Sequence, residues 1–231
     1  MTATATRTVR IPPERLLGWL DRFAGRHGEP HVEVSDEKVA CRCPDGATAD
    51  IALLWGSLPG RDDPLAELVA AFERQRTVGA LLIRRRAHAV GVFDGPVLDA
   101  GRHDHHYVQG TTKAGGWSQQ RYARRRGNQT AKAFAEAAED VAALLAPRVG
   151  ELDALVLGGD GTAARTVLAD FPDLRELAAR TRHPVYPVAD PNHTVLVGFP
   201  ALFRAVPIEL NEAAQAAGVG APKDSAPQED H

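Results

Sequence analysis

Ala80-Leu81-Leu82-Ile83, then Arg84-Arg85-Arg86, then His88-Ala89-Val90-Gly91-Val92-Phe93-Asp94-Gly95 is the stretch on which the fold turns. Two short apolar runs flank a basic tip, and Asp94-Gly95 is a two-residue turn of the kind that favours a hairpin. The chain then continues extended from Val97 to Tyr107, so three strands follow one another. Downstream, Val108 to Gly127 is polar and basic and reads as a loop. Beyond it Phe134, Ala138, Val141 and Leu145 recur at helical spacing, Asn128 or Thr130 is a candidate cap, and Pro147 stops the helix. Ala154–Leu157 is a buried strand, and Gly158-Gly159-Asp160-Gly161 turns into a helix carrying Ala164, Val167 and Leu168. Val185–Val188 reads as extended, His193–Phe203 is ambiguous, and Val206–Leu210 is a closing strand. Three strands followed by alternating helix and strand predict an α/β fold over residues 77–210, a mixed sheet of about five strands flanked by helices.

Upstream, Pro12-Pro13-Glu14 opens a helix with Leu16, Leu17, Leu20 and Phe23. Strands are expected at His31–Val34, Val39–Cys43 and Ala49–Trp55. Leu65, Leu68, Val69 and Phe72 form a second helical stripe. Residues 1–76 are thus expected to be a small α+β domain without chemistry of its own. Residues 211–231, rich in Ala, Gly, Pro and charge, are expected to be a disordered tail.

The 231 residues are 44% apolar and 25% charged, as in ordinary soluble globular proteins. Cys41 and Cys43 are the only cysteines, which excludes a disulfide framework and suits reduced thiols in the cytoplasm. Met1 to Pro13 lacks the apolar segment of a signal peptide. No apolar run approaches the roughly 20 residues that span a bilayer. A soluble, cytoplasmic protein with no membrane partner is expected. The net charge of −3 gives no general attraction for nucleic acid, so such a partner must meet a local patch.

One patch stands out. Between Gly110 and Ala133 the charged residues are Lys113, Arg121, Arg124, Arg125, Arg126 and Lys132, and no carboxylate occurs until Glu136. Gly, Trp, Gln and Tyr are interleaved with them, as in segments that contact phosphates and bases. A solvated flank leading into a helix is the plain alternative.

Gly115-Gly116-Trp117-Ser118-Gln119, with its arginine-rich continuation and amphipathic helix, resembles the catalytic loop of VLRF-type release factors, above all their actinobacterial branch. These are peptidyl-tRNA hydrolases of ribosome quality control, related to the central domain of eukaryotic and archaeal class I release factors. The resemblance covers Val78 to Leu210. It implies hydrolysis of the peptidyl-tRNA ester on the large ribosomal subunit without a stop codon. It also implies Gln119 as the catalytic glutamine, from the spacing G-x-x-Q at Gly116 to Gln119, with Gly115 and Gly116 shaping the approach. Lys113, Arg121, Arg124, Arg125 and Arg126 would then hold tRNA or ribosomal RNA. Gln120, next door, is the alternative glutamine. No metal or organic cofactor is implied, and a monomer is expected. The chemistry suits the residues: the ester is activated, so a positioned water and a donor to the oxyanion suffice.

Three rival signals are present. Gly158-Gly159-Asp160-Gly161-Thr162 matches a phosphate-binding turn of NAD and diacylglycerol kinases, and its plain alternative is a tight turn with Asp160 or Thr162 as helix cap. His103 and His105 share a strand face, as two metal ligands would, but no second ligand cluster accompanies them. Arg84-Arg85-Arg86 is either a solvated tip or an accessory RNA contact. A ribosome-binding factor without catalysis and a small-molecule kinase are the two alternative functions.

Overall fold

The structure, a computed structural model, describes residues 6–59, 62–84, 87–105, 118–169, 171–181 and 183–216. The first elements are β1 (Arg7–Ile11), α1 (Leu16–His27), β2 (His31–Val34), β3 (Lys38–Arg42), β4 (Thr48–Ala52) and α2 (Pro64–Glu73). Next come β5 (Thr77–Arg84), β6 (Ala87–Asp94), β7 (Val97–His105), α3 (Ser118–Leu144), β8 (Ala154–Gly159), α4 (Gly161–Leu168) and α5 (Pro172–Arg180). The last are α6 (His193–Gly198), α7 (Pro200–Phe203), β9 (Val206–Leu210) and α8 (Glu212–Ala216). The chain divides into two units, Met1–Glu73 with Ala205–His231, and Arg74–Arg204.

The first unit is built on a five-stranded antiparallel sheet in the order β1-β9-β4-β3-β2. Leu16, Trp19, Leu20 and Phe23 of α1 and Leu68 and Phe72 of α2 form one buried cluster with Val39, Cys41, Ile51 and Ile208. Burial pushes the Cys41 thiol up to about 11, helped by its neighbour Cys43, so it stays protonated and packs as an apolar group. β9 was expected to close the sheet of the second segment. Instead Ile208 lies opposite Val9 on one side and Ile51 on the other. Its alternation explains this: Val206, Ile208 and Leu210 are buried while Pro207 and Glu209 are not, which suits an antiparallel sheet with one wet face. Residues 211–216 also depart from the expected disordered tail. The Asn211 side chain accepts from Thr48 N and Ala214 N, each at 3.0 Å, and donates to Gly46 O, which starts α8. Residues 217–231 lie outside the described residues.

The second unit holds a four-stranded sheet in the order β7-β6-β5-β8. β5 and β6 pair antiparallel through a register that sets Thr77 opposite Asp94, and β5 pairs with β8 in parallel. β5 and β6 are buried almost throughout, because both faces are covered. On one face Leu81, Ile83, Val90, Val92 and Leu155 join Ala137 and Val141 of α3, Val167 of α4 and Leu177 of α5. On the other, the Phe93 ring meets Phe203 at 5.5 Å and Phe203 meets Phe199 at 5.4 Å, bringing in α7. The fold is a mixed α/β sheet flanked by helices, as expected, but the strand at Val185–Val188 does not form. A single parallel bridge joins Tyr186 to Gly158. Pro184 and Pro187 on either side have no N–H to extend a ladder. The ambiguous segment His193–Phe203 is helical, with the Asn192 side chain accepting from Val195 N as cap and Pro200 opening the next turn.

Candidate functional site

The basic segment leads into α3, a helix of 27 residues and therefore about 40 Å long. Its C-terminal half is anchored: Ala133, Ala137 and Val141, four residues apart, are buried, as is Leu145 just past its end. Sequence reasoning placed the helix start near Asn128 or Thr130 and left the arginines on a loop. The helix instead begins at Ser118, so Gln119, Gln120, Arg121, Arg124, Arg125 and Arg126 are helical. Arg, Gln, Ala and Tyr all tolerate the helix, and Gly127 costs only about 1 kcal/mol in its interior. Lys113, Gly115 and Gly116 lie outside the described residues, as do the other residues from 106 to 117.

Two consequences follow from the helical backbone. The N–H groups of Ser118, Gln119 and Gln120, in the first turn of α3, have no acceptor within the helix, and the partial positive end of the helix dipole is there. The basic residues are also on the wrong end. Within α3 no acidic residue precedes Glu136, which pairs with Lys132 at 3.6 Å, so all the charge in the sequence of this half is positive. Positions 124 and 125 each stand one turn from 121, a spacing at which like charges cost a few tenths of a kcal/mol per pair.

A polar clamp ties α3 to the sheet. Asp140 accepts from His88 Nε2 at 2.9 Å and from Arg102 Nη1 at 3.3 Å, joining α3 to β6 and β7. His88 is only 2% exposed, and its Nδ1 is buried with no hydrogen-bond partner among the described residues. Sequence reasoning missed the clamp. Its only signal was a histidine inside an otherwise apolar strand.

The second glycine-rich turn is structural. Asp160 caps α4, its Oδ1 accepting from Thr162 N and Ala163 N at 3.0 Å each. The place a phosphate would take is thereby filled by the chain's own carboxylate. Gly159 has φ +83°, and a Cβ there would lie 2.1 Å from the Ile83 carbonyl oxygen. Gly161 and Gly158 are pressed against Val185 and Leu82. Arg84 donates to Val188 O at 2.5 Å and lies 3.6 Å from Asp190, so it secures the segment after Tyr186; Arg85 and Arg86 lie outside the described residues. The His103 ring packs 5.8 Å from His193. Among the described residues no group of three or more side chains is placed to hold a metal. No described helix is long and apolar enough to cross a membrane.

A sequence model described as the Actinobacteria/Chloroflexi VLRF1 release factor matches residues 76–209, more than half of the chain. No curated protein matches. Among solved structures, an archaeal translation termination factor, aRF1, is similar at 14% identity with a TM-score of 0.40, covering 87% of this chain and 65% of its own. A second, described only as an archaeal protein, is 14% identical with a TM-score of 0.35, covering 85% of this chain and 64% of its own. This chain therefore spans just under two thirds of the length of the solved structures it matches.

Proposed function

The chain belongs to the Actinobacteria/Chloroflexi VLRF1 release-factor family, and from that premise we propose that it hydrolyses the ester of peptidyl-tRNA on the large ribosomal subunit, independently of a stop codon, releasing stalled nascent chains. Gln119 is the catalytic residue in this reading. It is the second residue of α3, where main-chain N–H groups lack intrahelical acceptors and can donate to the developing oxyanion. Its amide orients the attacking water. Gly115 and Gly116, ahead of the helix, let the backbone enter a narrow RNA-walled cavity. The ribosome supplies the rest of the active site, so no metal or organic cofactor is required.

The observation that carries this reading is the run of positive charge in the N-terminal half of α3. Arg121, Arg124, Arg125 and Arg126 occupy the first three turns of the helix, and its sequence holds no carboxylate before Glu136. Such an arrangement makes sense where an external polyanion meets it. Together with Lys113 these arginines hold tRNA or ribosomal RNA phosphates. The kinase reading loses its support, because the N-terminus of α4 is already capped by Asp160.

The test is release of labelled peptide from peptidyl-tRNA on isolated large subunits, comparing wild type with Gln119→Ala. A loss of about 10²-fold or more is expected, the scale of a lost oxyanion or water-positioning donor. Equal release by both would move the role to Gln120 or elsewhere. Binding without release by wild type would leave a non-catalytic ribosome-binding factor.

A further inference from the structure

The strand that fails to form at Val185–Val188 leaves a space. A cavity of about 490 Å³ lies in the second unit beside β8, between α4, α5 and the segment from Thr181 to Val185. Leu155, Leu157, Leu168 and Ala178 give it an apolar floor, and Arg165 and Arg175 stand at its rim. Both guanidiniums are exposed, and neither has an ion-pair partner among the described residues. Thr181 and the ring of His183 complete the polar lining. Burial holds that ring far below the usual histidine range, at about 3, so it adds no positive charge.

The floor is also an open sheet edge. Tyr186 N donates to Leu157 O at 2.9 Å and Gly159 N donates to Tyr186 O at 2.8 Å. The main-chain groups of odd-numbered residues in β8 therefore face away from β5. Leu155 N–H and C=O and Leu157 N–H face the same way, and none has a main-chain partner among the described residues. Pro184 prevents the chain's own segment from reaching back to take them. An edge of this kind, beside an apolar cleft, is a template for an added strand.

We propose that this edge of β8 is a docking site for an extended acidic segment of a protein partner, which adds as a short strand on Leu155 and Leu157. An apolar side chain of the segment fills the cleft, and its carboxylates meet Arg165 and Arg175. Charge complementarity selects an acidic partner. A peptide is favoured over nucleic acid because the lining contains no Phe, Tyr or Trp on which a base could stack, while the unpaired main-chain groups suit another strand. The site does not involve Gln119 or α3, so it stands apart from the release reaction.

The test uses the full chain and a synthetic heptapeptide of alternating valine and glutamate, with amide hydrogen exchange followed by NMR. Exchange at Leu155 and Leu157 is expected to slow about fivefold or more at saturation, as newly bonded edge amides do. The same peptide N-methylated at alternate amides should not slow it. Reversing both charges, Arg165→Glu with Arg175→Glu, is expected to weaken binding about tenfold or more, since two facing charge pairs become repulsive. An unchanged thermal midpoint in that variant shows that the fold is intact. Three results would overturn the proposal: no slowing at Leu155 and Leu157, equal binding of a valine–lysine peptide, or protection of these amides by oligouridine but not by the acidic peptide.

Discussion

Two glycine-rich passages lead from a strand into a helix in the second unit. After β8, Gly158-Gly159-Asp160-Gly161 turns into α4, and each element of the turn is accounted for inside the protein. Asp160 takes the first free N–H groups, and the glycines admit Ile83, Leu82 and Val185 at distances no side chain would allow. Ahead of α3, Gly115-Gly116-Trp117 precedes a helix whose first 18 residues carry five basic side chains and no carboxylate. By motif alone the first passage looks like the ligand site. By physical accounting it is the closed one, and the second is the passage that runs into a basic helix. A glycine motif is therefore discounted as a binding site where the chain itself fills the helix N-terminus behind it, as Asp160 fills that of α4.

The sharpest way to break this contrast is to remove the backbone freedom of the closed turn. Gly159→Ala places a Cβ against the Ile83 carbonyl oxygen at a left-handed φ, so the variant is expected to lose about 3 kcal/mol or more of stability in denaturant unfolding. A loss under about 0.5 kcal/mol would mean that the turn is not the rigid internal device described. The next effect lies at the other passage. Gln119→Ala is expected to lower peptide release about 10²-fold, roughly 2.7 kcal/mol at the transition state, while leaving the unfolding midpoint unchanged. One turn would thus fail in stability and the other in chemistry. Loss of both properties in one variant would erase the distinction.

A third variant separates phosphate binding from helix stability. Arg124→Ala is expected to reduce the slope of log affinity against log salt by about 0.7 to 0.9, with less than a tenfold loss of affinity for the large subunit. The same change should stabilise the free protein by a few tenths of a kcal/mol, by relieving repulsion with Arg121 and opposition to the dipole. An arginine that only decorates a solvated helix would leave the salt slope untouched.

How far the sequence could be read depended on whether a feature is local. The β5–β6 and β6–β7 hairpins were legible because each pair of strands is joined by only two residues. The cap at Asp160 was legible for the same reason. The home of β9 was not, since Leu210 pairs with Arg7 from the other end of the chain and no local pattern names that partner. The start of α3 was missed because helix reading leans on caps and apolar stripes: Asn128 and Thr130 are cap-forming residues, and the apolar stripe begins only at Phe134. The strand at Val185–Val188 was over-read, its apolar residues outweighing the two prolines that forbid a ladder. At the candidate site, the basic patch was visible from charge alone. Roles for Gln119, Gly115 and Gly116 came only through family resemblance. The His88–Asp140–Arg102 clamp has no periodic signature at all.

The smallest effect on function discriminates best between the two passages. Asp160→Ala removes the side chain that satisfies Thr162 N and Ala163 N, and loss of such a cap costs about 1 kcal/mol. Unlike Gly159→Ala it introduces no clash, so the fold persists and activity can be compared per folded molecule. Release of peptide is expected to be unchanged, because α4 takes no part in the reaction. The variant also reopens the N-terminus of α4 to anions, and a nucleotide should then compete no better than inorganic phosphate for it. If Asp160→Ala instead abolished a nucleotide-dependent activity of the wild type while Gln119→Ala did not, the glycine turn after β8 would be the working site and the passage into α3 the decorated one.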